Sequence, residues 1–127
     1  MFALTNGVAW FEISADNPEA AEKFYGDLFD WQFSKIAEVS NDYRAIKAPG
    51  QSIAGALVAA GGAIPTYATF GIIVEDVEAT CRQAEAAGGK VLVQPSAYGP
   101  AGMTFAYLAD PSGNLLGISS VPEGATA

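Results

Sequence analysis

A strand that runs directly into a helix, and the same arrangement again later in the chain, constrains this sequence more than any other feature. Residues 10–25 read WFEISADNPEAAEKFY. Ala9, Phe11 and Ile13 alternate with Trp10, Glu12 and Ser14, the period of two of a half-buried strand. Asn17 can accept an orphan backbone N–H and so cap a helix. Pro18 follows at the first helical position, where its missing N–H costs nothing. Ala21, Phe24, Tyr25, Leu28 and Phe29 then fall at the spacing of one helix face. The second copy runs from residue 67. Residues 67–74 alternate, Asp76 caps, and Val77, Cys81 and Ala84 form a stripe that ends at Gly88-Gly89, a C-cap signal. From Asn17 to Asp76 the offset is 59 residues, and the chain reads as one unit written twice.

The remaining elements fill out each copy. Asp30 stands where a left-handed cap would close the first helix. Strands are expected at residues 31–36, 43–47 and 53–59, with turns at Ser40-Asn41-Asp42 and Ala48-Pro49-Gly50. Gly61-Gly62 to Pro65 reads as the linker. The second copy repeats the order: a strand at 67–74, a helix at 77–87 and a strand at 90–94. A Pro/Gly-rich loop follows at 95–102, then a strand at 103–108. The turn Asp110-Pro111-Ser112-Gly113-Asn114 leads into a last strand at 115–119. The expected fold is α+β, two βαβββ modules at about 7–60 and 65–121 in one domain spanning 1–121. Residues 122–127 form a tail expected to fray.

Composition decides which function classes remain. Half of the 127 residues are hydrophobic and 11% are aromatic, enough to build a real core. No apolar run approaches the ~20 residues of a membrane span. The N-terminal MFALTNG has no basic region or cleavage pattern, so no signal peptide is expected. The one cysteine, Cys81, has no internal disulfide partner, which suits a reducing cytoplasm. Net charge is −8 with six Lys plus Arg, which argues against nucleic acid and anionic membrane surfaces as partners. It leaves a neutral or cationic small molecule, or simple solubility, and the solubility reading weighs more.

Three stretches in order, WFEISADNPEAAEKFYGDLFDW, FGIIVEDVEATCRQAEAAGGKVL and FAYLADPSGNLLGI, resemble the vicinal oxygen chelate superfamily. That group includes glyoxalase I, bleomycin-resistance proteins and extradiol dioxygenases, and the resemblance covers residues 8–119. It implies two βαβββ modules curling a mixed sheet around one cavity, with the helices outside. It also implies a homodimer, which would cover the sheet edges each module leaves. Members that are enzymes usually hold a divalent metal through His, Glu or Gln on cavity-facing strands. The matching positions are Trp10, seven before Asn17; Thr69, seven before Asp76; Gly117, three after Asn114; and a fourth-strand position near Gly55 to Leu57. Indole, glycine and alkyl groups bind no metal, and a lone hydroxyl is a poor ligand. The chain has no histidine. The expectation is therefore no metal and no cofactor.

Positions two apart on a strand share a face, so Trp10, Glu12 and Ser14 would look away from the helix, toward the implied cavity. Phe11 and Ile13 would face the helix stripe of Phe24 and Leu28. Glu12 is a candidate general base; a paired or solvated strand carboxylate is the plainer reading and weighs more. Trp10 either stacks on a guest or packs in the core. Candidate ligand-lining residues are Trp10, Glu12, Tyr43, Leu57, Tyr67, Thr69, Tyr98, Tyr107 and Gly117, although each tyrosine taken alone is more often structural. Asp110 is expected to tie down its own turn, and Cys81 to be an inert core thiol. Three classes follow, in this order. The first is a metal-independent protein that binds a small molecule. The second is a lyase, isomerase or glyoxalase-type enzyme, with Glu12 as base or with metal ligands elsewhere. The third is an interaction module with no ligand.

Overall fold

The computed structural model describes residues 5–36, 43–60, 64–98 and 103–121. In chain order the elements are β1 (Val8–Ala15), α1 (Pro18–Phe29), β2 (Gln32–Lys35), β3 (Arg44–Lys47) and β4 (Gly55–Ala59). The order then repeats with β5 (Tyr67–Ile73), α2 (Val77–Ala86), β6 (Lys90–Tyr98), β7 (Met103–Ala109) and β8 (Leu115–Ser119). The class is α+β, built from two βαβββ sets. The expected turn at Ser40-Asn41-Asp42, the glycines at 61 and 62, residues 99–102 of the loop and the tail at 122–127 lie outside the described residues.

The helices start and stop where their caps dictate. Asn17 accepts the Ala20 N–H at 3.1 Å, and Asp76 accepts the Ala79 N–H at 2.9 Å. Each satisfies one of the donors that a first turn leaves open. Asp30 closes α1 in the left-handed region (φ 61°) and donates its N–H to the Gly26 carbonyl. Gly88, at φ 95°, takes the chain away from α2.

The chain divides into two compact units, Trp10–Ala68 and the described residues of Met1–Ala9 with Thr69–Ala127. In the first, the strand order is β2-β3-β4-β1, with β1 parallel to β4 and the other pairs antiparallel. Glu12 lies opposite Ala56, and Phe11 opposite Gly55. The Phe11 ring covers Gly55 so closely that a Cβ there would sit 2.3 Å from it, so any larger residue would force the ring to shift. In the second unit the order is β5-β8-β7-β6, with β5 parallel to β8 and Gly71 opposite Gly117. Thr5 bridges to Ile73, which ties the residues before β1 to this unit. The strand order is thus the same in both βαβββ sets.

Two expectations need correction. The strand expected to stop at Gln94 runs on to Tyr98, through Pro95. Its pairing with β7 slips between Val91 and Val93 and again between Val93 and Ser96. β6 stands at the end of the strand order, where a bulge asks no ladder N–H of proline, so Pro95 does not end it. The second correction concerns α1. Phe24, Leu28 and Phe29 are more exposed than covered, at 56%, 58% and 52%. Phe11 instead meets Trp31 (ring centroids 5.4 Å apart), which stacks on Tyr25 at 5.0 Å. Each helical residue turns about 100°, so placing Glu22 and Tyr25 over the sheet swings Phe24 and Leu28 to one side.

What the helix covers there is Arg44, which is 1% exposed on β3. Its guanidinium lies 3.1 Å from Glu19 and 2.8 Å from Glu22. In the other unit, α2 covers an ordinary apolar core of Val74, Val77, Cys81, Ala106, Leu108 and Ile118. Among the described residues no helix is long and apolar enough to cross a membrane.

Candidate functional site

β1 is more buried on its polar side than on its apolar side. Glu12 and Ser14 are 3% and 5% exposed, whereas Phe11 and Ile13 are half-buried. A carboxylate taken out of water is costly unless it is hydrogen-bonded, and Glu12 is. One of its oxygens accepts the hydroxyl of Tyr67; the other accepts the Trp10 indole N–H at 3.4 Å. The second contact is the longer and weaker of the two. Tyr43, just before β3, is half-buried, and its phenol is pushed above its ordinary pKa, first by burial and then by the charge of Glu12. Trp10, Glu12, Tyr43 and Tyr67 all belong to the Trp10–Ala68 unit.

Not every candidate joins this group. Leu57 is fully buried and pairs with Ile13 and Arg44, which places it on the opposite, helix-covered face; Ala56 is the residue level with Glu12. In the other unit Tyr107 lies opposite Gly117, and Gly117 opposite Gly71, so these three share a face. Thr69 falls on the same face of β5 as Gly71, and its hydroxyl donates to the Leu115 carbonyl. Tyr98 pairs through its backbone with Met103, and its side chain lies outside the described residues. Asp110 behaves as its turn motif suggests. It accepts the backbone N–H groups of Ser112 and Asn114 and the Asn114 side-chain amide, each at 2.9 Å. The Asn114 bonds are the main reason its carboxyl titrates below the ordinary range. Cys81 is buried, and burial raises its thiol pKa.

Arg44 was missed from the sequence. A lone arginine in a four-residue strand carries no local signal of burial. Only Glu19 and Glu22, a turn apart on the preceding helix, hint at a partner for it.

A model of the glyoxalase, bleomycin resistance protein and dioxygenase superfamily matches residues 7–118, and the chain belongs to that superfamily. Among individual relatives, CFP32 of Mycobacterium tuberculosis, named as an inferred glyoxylase, is 29% identical over 115 residues. That match takes in 90% of this chain and 44% of CFP32, so the chain spans a little under half the length of that relative. A glyoxylase-like domain-containing protein of Didymella fabae is 32% identical, over 91% of this chain and 94% of its own. Among solved structures, methylmalonyl-CoA epimerase from Mycobacterium tuberculosis superposes with a TM-score of 0.61 at 16% identity, covering 94% of this chain and 92% of the other. At that identity the likeness concerns the fold.

The metal that the superfamily implies does not fit the residues present. In the first set the relevant positions hold the Trp10 indole and, by register, the Ala56 methyl. In the second they hold Thr69, whose hydroxyl is already donating, and Gly117. Neither pair supplies a carboxylate, imidazole or thiolate. Among the described residues, no three His, Cys, Asp or Glu side chains gather as a metal site would need.

Proposed function

We propose that this chain binds a small molecule without a metal, holding a planar neutral or cationic guest against Trp10 and Glu12. The observation that carries this reading is the buried Glu12 carboxylate, held in place by the Tyr67 hydroxyl and the Trp10 indole. Such a group is a preorganised acceptor beside a flat aromatic surface, a pairing that suits a guest with an N–H or a positive charge. Family membership and the donor-poor metal positions support it. The proposal includes a homodimer and a cytoplasmic location, the latter resting on the single buried thiol.

The second reading is an isomerase or lyase in which Glu12 takes a proton from the substrate and Tyr67 supplies or holds one. The contact between the Tyr67 hydroxyl and the carboxylate favours it, because an acid and a base side by side are what proton transfer needs.

A thermal-shift screen of planar amines and neutral aromatics, run in EDTA and again with manganese, nickel or zinc, tests the first reading. Compounds that bind should bind equally in EDTA. Trp10→Ala should weaken them about tenfold, roughly the ~1.4 kcal/mol expected for a lost stacking surface. Glu12→Gln should weaken cations more than neutral compounds. Binding that requires metal, or a Trp10→Ala variant that melts lower but binds as before, overturns it. Turnover of a bound compound followed by NMR, and abolished in Glu12→Gln, would establish the second reading instead.

A further inference from the structure

Beside α1, within the Trp10–Ala68 unit, Ile13, Asp16, Phe24, Tyr25, Thr66 and Tyr67 line a cleft of about 430 Å³. That volume is in the range of small-molecule sites, roughly 300–1,000 Å³. Two of its walls are a preformed aromatic corner. Phe24 and Tyr25 meet edge to face, with centroids 5.1 Å apart and planes at 89°. The Tyr25 ring is fixed by stacking on Trp31 at 5.0 Å and 11°. Phe24 is 56% exposed, so one wall presents ring surface to whatever enters. At the rim stands the exposed carboxylate of Asp16, and none of the described lining residues is basic.

We infer that this cleft is a second binding site, for an organic cation with an apolar body such as a quaternary or alkylated amine. Aromatic faces attract a cation through their quadrupole, by about 0.5–2 kcal/mol according to how far it is desolvated. A carboxylate at the mouth adds direct charge complementarity, and the chain's net charge of −8 raises the local concentration of cations. An anion would meet Asp16 with no compensating base. The cleft is distinct from the Glu12 group but shares one side chain with it. Tyr67 contributes to the cleft lining while its hydroxyl donates to Glu12.

The experiment titrates ¹⁵N-labelled protein at low salt with choline and, separately, with 3,3-dimethyl-1-butanol, its uncharged isostere. Choline should shift the amide signals of Asp16, Phe24 and Tyr25 saturably, and the isostere should bind at least tenfold more weakly. Asp16→Asn and Phe24→Ala, both at exposed positions, should each weaken choline about fivefold or more, whereas Trp10→Ala should leave it unchanged. Equal binding of the two compounds, absence of saturable shifts, shifts confined to Trp10 and Glu12, or indifference to Asp16→Asn and Phe24→Ala would each overturn the assignment. Because Trp10→Ala is the control here and the critical variant for the Glu12 face, either proposal can fail without the other.

Discussion

The two βαβββ sets share a strand order and a capping scheme but use them differently. In the second, α2 lies on an apolar layer that includes Ala106, Leu108 and Ile118, and the side of its sheet away from the helix carries Thr69, Gly71, Tyr107 and Gly117. In the first, the helix covers an arginine and leaves three large apolar side chains exposed, while the strand face away from it holds a buried glutamate. The comparison separates two jobs that a duplicated pattern can divide. One copy keeps the apolar core that makes folding favourable. The other tolerates buried charge on both faces of its sheet, a costly arrangement that persists where polar groups have something to do.

Three measurements can break or sharpen that contrast. The largest effect is expected in the second set, where Ile118→Ala should cost about 3 kcal/mol in urea denaturation, the loss typical of truncating a fully buried aliphatic residue. Arg44→Met, at the equally buried position in the first set, should cost less than about 1.5 kcal/mol. It keeps most of the packing volume, and the glutamates it releases are not trapped in a core: the side chain of Glu19 is 75% exposed and that of Glu22 is 36% exposed. If Arg44→Met proves the more damaging of the two, the first set depends on its ion pairs and the contrast drawn above is wrong.

Next comes Tyr67→Phe. It removes one donor from the buried Glu12 carboxylate and should lower stability by about 2 kcal/mol, in the range for deleting a hydrogen bond to a buried charged group. A loss below a few tenths, by the same denaturation assay, would mean that Glu12 finds water or another donor readily.

The smallest effect is a pH dependence. The Tyr43 phenol is raised above its ordinary value of 10.0, by burial first and by Glu12 second. Below that ordinary value both folded and unfolded chains keep the proton, and stability is unaffected. As pH rises past it, the unfolded chain loses the proton first, so stability falls until the folded phenol also ionises. The wild-type protein should therefore lose more stability above pH 10 than Tyr43→Phe does. Glu12→Gln should bring the phenol part of the way back, as read by absorbance at 295 nm. Identical curves for wild type and Tyr43→Phe would detach Tyr43 from the Glu12 group.

Local signals carried the order of the elements, the caps at Asn17, Asp30 and Asp76, the Asp110 turn, and the shared face of Trp10 and Glu12. These were legible because they depend on neighbours within a few residues, where backbone geometry and the periods of two and 3.6 leave few choices. Tertiary structure decided the rest. Tyr67 reaches Glu12 across 55 residues of sequence. Arg44 is buried because β3 lies beneath α1, and Leu57 turns to the helix side because β4 runs parallel to β1 in one particular register. A one-residue slip in that pairing would have reversed the face of Leu57. The stripe on α1 was visible, but which part of it meets the sheet depends on how the helix is rolled. That roll is set by Arg44, Tyr25 and Trp31 together, through contacts that no periodicity in the chain records.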